Sequence, residues 1–412
     1  MASFSIPLTG LNADQTELNT IANNISNLNT TGFKSQSTSF EDLFYQQVGS
    51  SGSGDPVAAG QGVKVAANST DFTPGSINTT AGSPSDVALT GNGFFVLNNG
   101  GIPAYTRAGD FQTDQNGNLT STDGLAVMGY PASKGVVNTN APLAAIQIPL
   151  GATQQPQATT QFSLNATNLN ASAAVGTVVP AQVTVYDSLG QSHVATVNFT
   201  NAGANTWNYA ISLPAGDYTG ATANTTGTLT FNSSGQMTAP AANVTGISFG
   251  GLTDGASNLS FSWNLYDANN NPTVTQAASA STVGSTTQNG YSSGSYQGFS
   301  VGSDGIISVQ FSNGQTQAIG QLALAMVNNE QGLARTGDNN FAATLASGPA
   351  TVGVAGTGGR GTMEGGALED SNVDISSEFS NLIVAQSAYE ANAKSVTTFD
   401  TVTQATINMI PQ

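Results

Sequence analysis

The feature that most constrains this chain is a pair of helical apolar stripes, one at each end, separated by a long β-patterned stretch. Near the N-terminus Leu11, Leu18 and Ile25 recur every seven residues, and Ile21 and Leu28 fill the second position of the same repeat. That spacing is one face of an α-helix, close to a coiled-coil seam and interrupted by Asp14. Pro7 fits only the first turn of such a helix, and Gly32 is placed to end it. At the other end Asp374 can cap a helix start. Ile375, Phe379, Leu382, Ile383, Tyr389, Ala393 and Val396 follow on one stripe. Phe399, Val402, Met409 and Ile410 then continue on a shifted face, beyond Asp400 and Thr403. A helix of that length reaches about 55 Å, too long to fold back on a small domain. One outcome is that both helices pack on the middle of the chain. The sharper expectation is an αα pair that also buries apolar surface against other copies. Its contact residues would be Leu11, Leu18, Ile21, Ile25 and Leu28 with Phe379, Leu382, Ile383, Tyr389, Val396, Phe399 and Ile407.

Between the helices the pattern changes period. Leu259, Phe261, Trp263 and Leu265 alternate with polar residues, which predicts a strand with one buried face. Val183 and Val185, the turn 187–190, then Val194, Val197 and Phe199 predict a hairpin. Ile307, Val309 and Phe311 before Asn313-Gly314 predict another with a type I′ turn, and similar hairpins surround Asn116-Gly117 and Ser234-Gly235. The Gly/Ser stretch 49–54 reads as flexible. Segments 154–160 and 279–294 are poor in apolar residues and read as crossings that bracket an insertion. The expected fold is mainly β with α-helical termini, its β-rich domains nested on a paired helical base. Residues 1–32 and 371–412 would form the helical assembly domain, and 33–70 an extended connecting segment. Residues 71–147 and 287–370 would form an inner β domain, and 148–286 an inserted outer β domain.

The chemistry is sparse. Only 8% of the 412 residues are charged, and 7 Lys+Arg against 24 Asp+Glu give a net charge of −17, which disfavours nucleic-acid binding. The absence of cysteine removes disulfides and thiolate metal sites. No stretch reads as a secretory signal or a membrane span. His193 is the single histidine, beside a tight turn, and reads as a surface or hairpin polar residue. Asp114, Asp123, Asp187 and Asp304 are scattered singly, as turn-forming aspartates are. Asp114-Gln-Asn116-Gly117-Asn118 lacks the closing glutamate of a calcium loop. Trp207 and Trp263 are isolated in sequence, unlike the aromatics of a sugar-binding face. No catalytic, cofactor-binding or metal-ligating set is expected, and the chain does not read as an enzyme.

The residues at the two ends carry a resemblance. Ala22-Asn23-Asn24-Ile25-Ser26-Asn27 with Thr31-Gly32-Phe33-Lys34 is similar to the N-terminal signature of the flagellar rod and hook family. Asn372, Asp374, Gln386, Asn392 and Lys394, within 371–409, resemble the C-terminal half of that signature. Thr90-Gly91-Asn92-Gly93-Phe94-Phe95 and Tyr105-Thr106-Arg107-Ala108-Gly109 resemble the family's shared β domain, and 185–190 with His193 its hook-type insertion. The resemblance implies a structural subunit that polymerises helically with itself into a hollow, flexible tube transmitting motor torque from rod to filament. It implies contact with a distal rod protein, a hook cap protein and a hook–filament junction protein. It also implies export by the flagellar type III apparatus to an extracellular site, with Phe4 and Leu8 similar to an export motif. A distal rod subunit is the alternative within the family, disfavoured by the insertion. A surface adhesin is the alternative outside it.

Overall fold

The structure, a computed structural model, describes residues 5–50, 56–79 and 82–409. The chain forms two compact units, one of residues 1–150, 298–310 and 316–412, the other of 151–297 and 311–315.

The first unit holds both helices, α1 (Ser5–Ser26) and α2 (Ile375–Asn408). Pro7 sits in the first turn of α1, where its missing N–H costs nothing. α1 ends at Ser26, short of the expected Gly32. Residues 27–31 turn instead, and Gly32 serves a different purpose. Its φ is +66°, and a Cβ there would lie 2.6 Å from the Ala108 nitrogen, so glycine alone fits. α2 starts where expected: the Asp374 side chain accepts from the Ser376 and Ser377 amides.

The stretch 33–70, expected as an extended connection, is an antiparallel ribbon. Strand β1 (Gln36–Asp42) pairs with β4 (Val63–Thr70), and between them β2 (Gln46–Ser50) pairs with β3 (Pro56–Ala59). Residues 51–54 of the predicted flexible stretch lie outside the described residues. α1 packs along β1 and β4, with Thr9 Oγ1 accepting from the Val63 amide. The β core of this unit runs through strands Thr316–Leu322, Ala126–Ser133, Phe94–Asn99, Ile102–Thr106, Asn340–Ala342 and Ala334–Gly337. It buries Phe94, Phe95, Leu97, Tyr105 and Phe341.

The second unit is a β-sandwich. One sheet is built on Val178–Tyr186, Ser192–Gly203, Thr206–Ser212, Thr226–Phe231 and Met237–Ala239, antiparallel throughout. The other contains Val244–Phe249, Leu259–Asn264 and Gln161–Leu164, the last two parallel. Residues alternate buried and open along Ser192–Gly203, as a half-covered sheet requires. Trp207 and Trp263, remote in sequence, share one core. Trp263 stacks on Phe162 at 5.9 Å and meets the Tyr209 ring edge-on at 5.2 Å. This unit outlasts the expected 286 boundary because Gly294 and Ser295 pair back on Gln154 and Thr153.

One reading of a turn changes. The Asn313-Gly314 turn is not type I′, since only Gly314 has positive φ, at +77°. The Phe311 carbonyl accepts from the Gly314 amide, giving a type I turn that ends in a left-handed glycine. Four turns share one device. In each, a side-chain oxygen of Asp114, Asp187, Asn232 or Asp267 accepts from the amides two and four residues on. The turn aspartates are thereby occupied by their own backbone. His193, read as a surface or hairpin residue, lies in the hairpin opposite Val185 and is only 6% exposed.

Candidate functional site

The helices α1 and α2 are in contact and antiparallel. Asn24, late in α1, donates to Glu378, early in α2, at 3.0 Å. Farther along, Asn392 donates to Asp14 at 2.8 Å. Asp14 therefore does not interrupt the seam; it forms part of it. Gly10 lies against Asn392, where a Cβ would stand 2.7 Å from the amide nitrogen. Burial of Glu378 raises its carboxyl pKa above the ordinary range, as does the nearby Asp374, against the opposing Asn24 hydrogen bond.

The face that α1 buries is Gly10, Ala13, Asp14, Ile21 and Asn24. Of the predicted apolar stripe only Ile21 is buried; Leu11, Leu18 and Ile25 are half-buried on the neighbouring face, and Leu28 follows the helix end. On α2 only Ala385 is fully buried. The predicted stripe divides. Leu382, Val396 and Phe399 are half-buried, whereas Phe379 is 49% exposed, Ile383 64% and Ile407 61%, with Tyr389 also exposed. Leu8 is exposed, and Phe4 lies outside the described residues, as does Ile410.

The signature residues beyond the helices form a latch joining both ends to the β core. Lys34 and Glu369 have side chains with no exposed surface and pair at 2.6 Å. Arg107 grips the same carboxylate, Nε to Oε2 at 3.0 Å, and donates to the carbonyls of Leu89, Gly91 and Gly93. Lys34 also donates to the Thr73 carbonyl, and the Gly32 amide to the Glu369 carbonyl. Burial lowers the Lys34 pKa, and its pairing with Glu369 opposes that shift. Lys34 is an internal ion-pair partner, because the chain turns inward after residue 27. Asn372 fastens the second strand of the latch. Its Oδ1 accepts from the Ser35 amide at 2.8 Å, and its Nδ2 reaches the Asp71 and Thr73 carbonyls. Asn24 does likewise for β1, exchanging hydrogen bonds with the Gln36 backbone. Asn23 and Gln386 are exposed, as is Lys394, whose ammonium makes no ion pair among the described residues. Sequence reasoning missed Glu369, Asp14 and Glu378 as partners. The usable signal was rarity, since buried charge stands out in a chain with so few ions.

An antiparallel helix pair built from both termini, latched to a β core and leaving apolar side chains open along α2, has the build of a structural subunit. Comparisons with known proteins agree. Residues 6–34 match the family described as flagella basal body rod protein. Residues 364–409 match the C-terminal family of flagellar basal body rod FlgEFG proteins, and 177–291 the flagellar basal body protein FlaE D2 domain. The flagellar hook protein FlgE of Escherichia coli is 37% identical, covering 99% of this chain and 100% of its own. That of Treponema pallidum is 31% identical, covering 99% of each. The Helicobacter pylori hook protein FlgE2 shares the fold, with a TM-score of 0.53 at 14% identity over 71% of this chain and 99% of its own. The chain belongs to the flagellar hook protein family.

Proposed function

We propose that this chain is the building block of the flagellar hook, polymerising head-to-tail into a flexible tube that carries torque from rod to filament. The observation that carries this is the outer face of α2, a 34-residue helix with one fully buried residue and exposed Phe379, Ile383 and Ile407. A helix with so much open apolar surface is completed by association. Contacts that do not close on themselves produce an open helical polymer. In this reading residues 1–32 and 371–412 form the inner layer, and 71–150 with 298–310 and 316–370 the next. The insertion, 151–297 with 311–315, forms the outer layer, with wet Asn/Thr/Ser surfaces that slide as the tube bends. Lys394, open on α2, meets a carboxylate of a neighbouring copy. The distal rod, the hook cap, the junction protein and the type III export apparatus are its partners at successive stages, and its site is extracellular. The family is structural, and turnover of a substrate has no place in this account.

Electron microscopy of the full chain beside a chain ending at Asp374 tests the proposal. Curved hollow tubes from the full chain alone are the expected result. Tubes from the shortened chain would place assembly in the β units and refute the role given to α2.

A further inference from the structure

The sandwich unit, residues 151–297 and 311–315, contains no lysine and no arginine. Its only acidic residues are Asp187, Asp217, Asp254 and Asp267, and its only possible cation is His193. Three of those four carboxylates converge on that one imidazole. Nδ1 lies 2.8 Å from Asp217 Oδ2. Nε2 lies 3.1 Å from Asp187 Oδ2 and 3.7 Å from Asp254 Oδ2. The ligand atoms of Asp187, His193 and Asp254 all lie within 4.8 Å of one another.

Protonated on both nitrogens, the ring donates to Asp217 and Asp187 but brings one positive charge to three carboxylates. Asp187 is fully buried, so an excess of negative charge there is costly. Each remaining feature suits a metal ion. Asp187 Oδ1 is held by the Leu189 and Gln191 amides, which fixes Oδ2 toward the ring. With Asp217 accepting from Nδ1–H, the Nε2 lone pair would go to the metal ion, the usual way a carboxylate orients a ligating histidine. Tetrahedral ligands about 2.0–2.1 Å from zinc stand roughly 3.3 Å apart, between the two Nε2–oxygen separations found here. The Asp254 side chain is 28% exposed, which leaves an entry path.

We propose that His193, Asp187 and Asp254 bind a divalent cation of the zinc class, with Asp217 as the positioning residue. The ion would tie the 187–191 turn of one sheet to the 250–258 loop of the other. A cysteine-free chain has no disulfide to do this.

The test uses the full chain, dialysed against a chelator and titrated with zinc chloride alone, by calorimetry and thermal melting. The expected result is one saturable equivalent and a higher melting temperature. Asp217→Asn should weaken binding about 10–100-fold. His193→Gln and Asp254→Asn should abolish the equivalent. If His193→Gln does not fold, Asp254→Asn carries the test, because its carboxylate lies at the surface. Three results would overturn the proposal: no heat and no melting shift in the wild-type chain, binding unchanged in Asp254→Asn, or a response to calcium equal to that to zinc. The first would leave His193 as a protonated clamp only, and the last would exclude an imidazole ligand.

Discussion

The sandwich unit and the helical ends treat apolar residues in opposite ways. In the sandwich, Trp207, Trp263, Phe162 and Phe199 have at most 1% of their surface open, and strand alternation places almost every large apolar residue inside. On α2, Phe379, Ile383, Val402 and Ile407 stay open while small or polar residues meet α1. The sandwich is a finished core. The helix pair meets through polar contacts and a few buried apolar residues, and leaves much of its apolar surface open. Burial rewards the first arrangement at once and the second only on association.

The sharpest way to break the comparison is to damage one region and read the other. Trp263→Ala should cost the sandwich about 3–5 kcal/mol by cavity formation. Calorimetry should then show one early transition, with the first unit's transition unmoved. Glu369→Gln should cost the first unit a similar amount, about 3–5 kcal/mol, because it strands Lys34 and Arg107 as buried cations. Denaturant melts monitored for each unit would separate the two effects. Asn24→Ala should cost about 1–3 kcal/mol, since it leaves the Gln36 backbone and Glu378 without their partner. Proteolysis at the helix pair should accelerate accordingly.

The smallest expected effect is of pH. Glu17 and Glu378 both have folded pKa values raised by burial above the ordinary 4.5. Their folded forms bind protons more readily than their unfolded forms. The helix pair should therefore gain stability as pH falls from neutral through the folded values, and gain no more below 4.5. Amide exchange in α1 and α2 at pH 7 and pH 5 reads this directly. Faster exchange at pH 5, after correction for intrinsic rates, would contradict it.

What the sequence made legible was local or periodic. Asp374 could be placed as a cap because its partners lie two and three residues on. The Val183 and Val197 strands were readable because their burial alternates. The latch was not readable, because Lys34 and Glu369 are 335 positions apart and nothing near either names the other. Asp14 looked like a flaw in a seam for the same reason, its partner being 378 positions away. The apolar stripe of α1 was real as a pattern, and the face that this chain itself buries lies beside most of it. Helical spacing defines a face and does not say what covers it. His193 escaped because a lone histidine beside a turn carries no sign of the aspartates that two other loops bring to it.

The central claim is that the open face of α2 is the assembly surface. Phe379→Ser combined with Ile383→Ser tests it most directly, read by sedimentation and electron microscopy with a thermal melt of the subunit alongside. The account predicts an unchanged melt, since both side chains are already exposed, together with loss of tubes. Tubes of normal diameter from the double variant would contradict it.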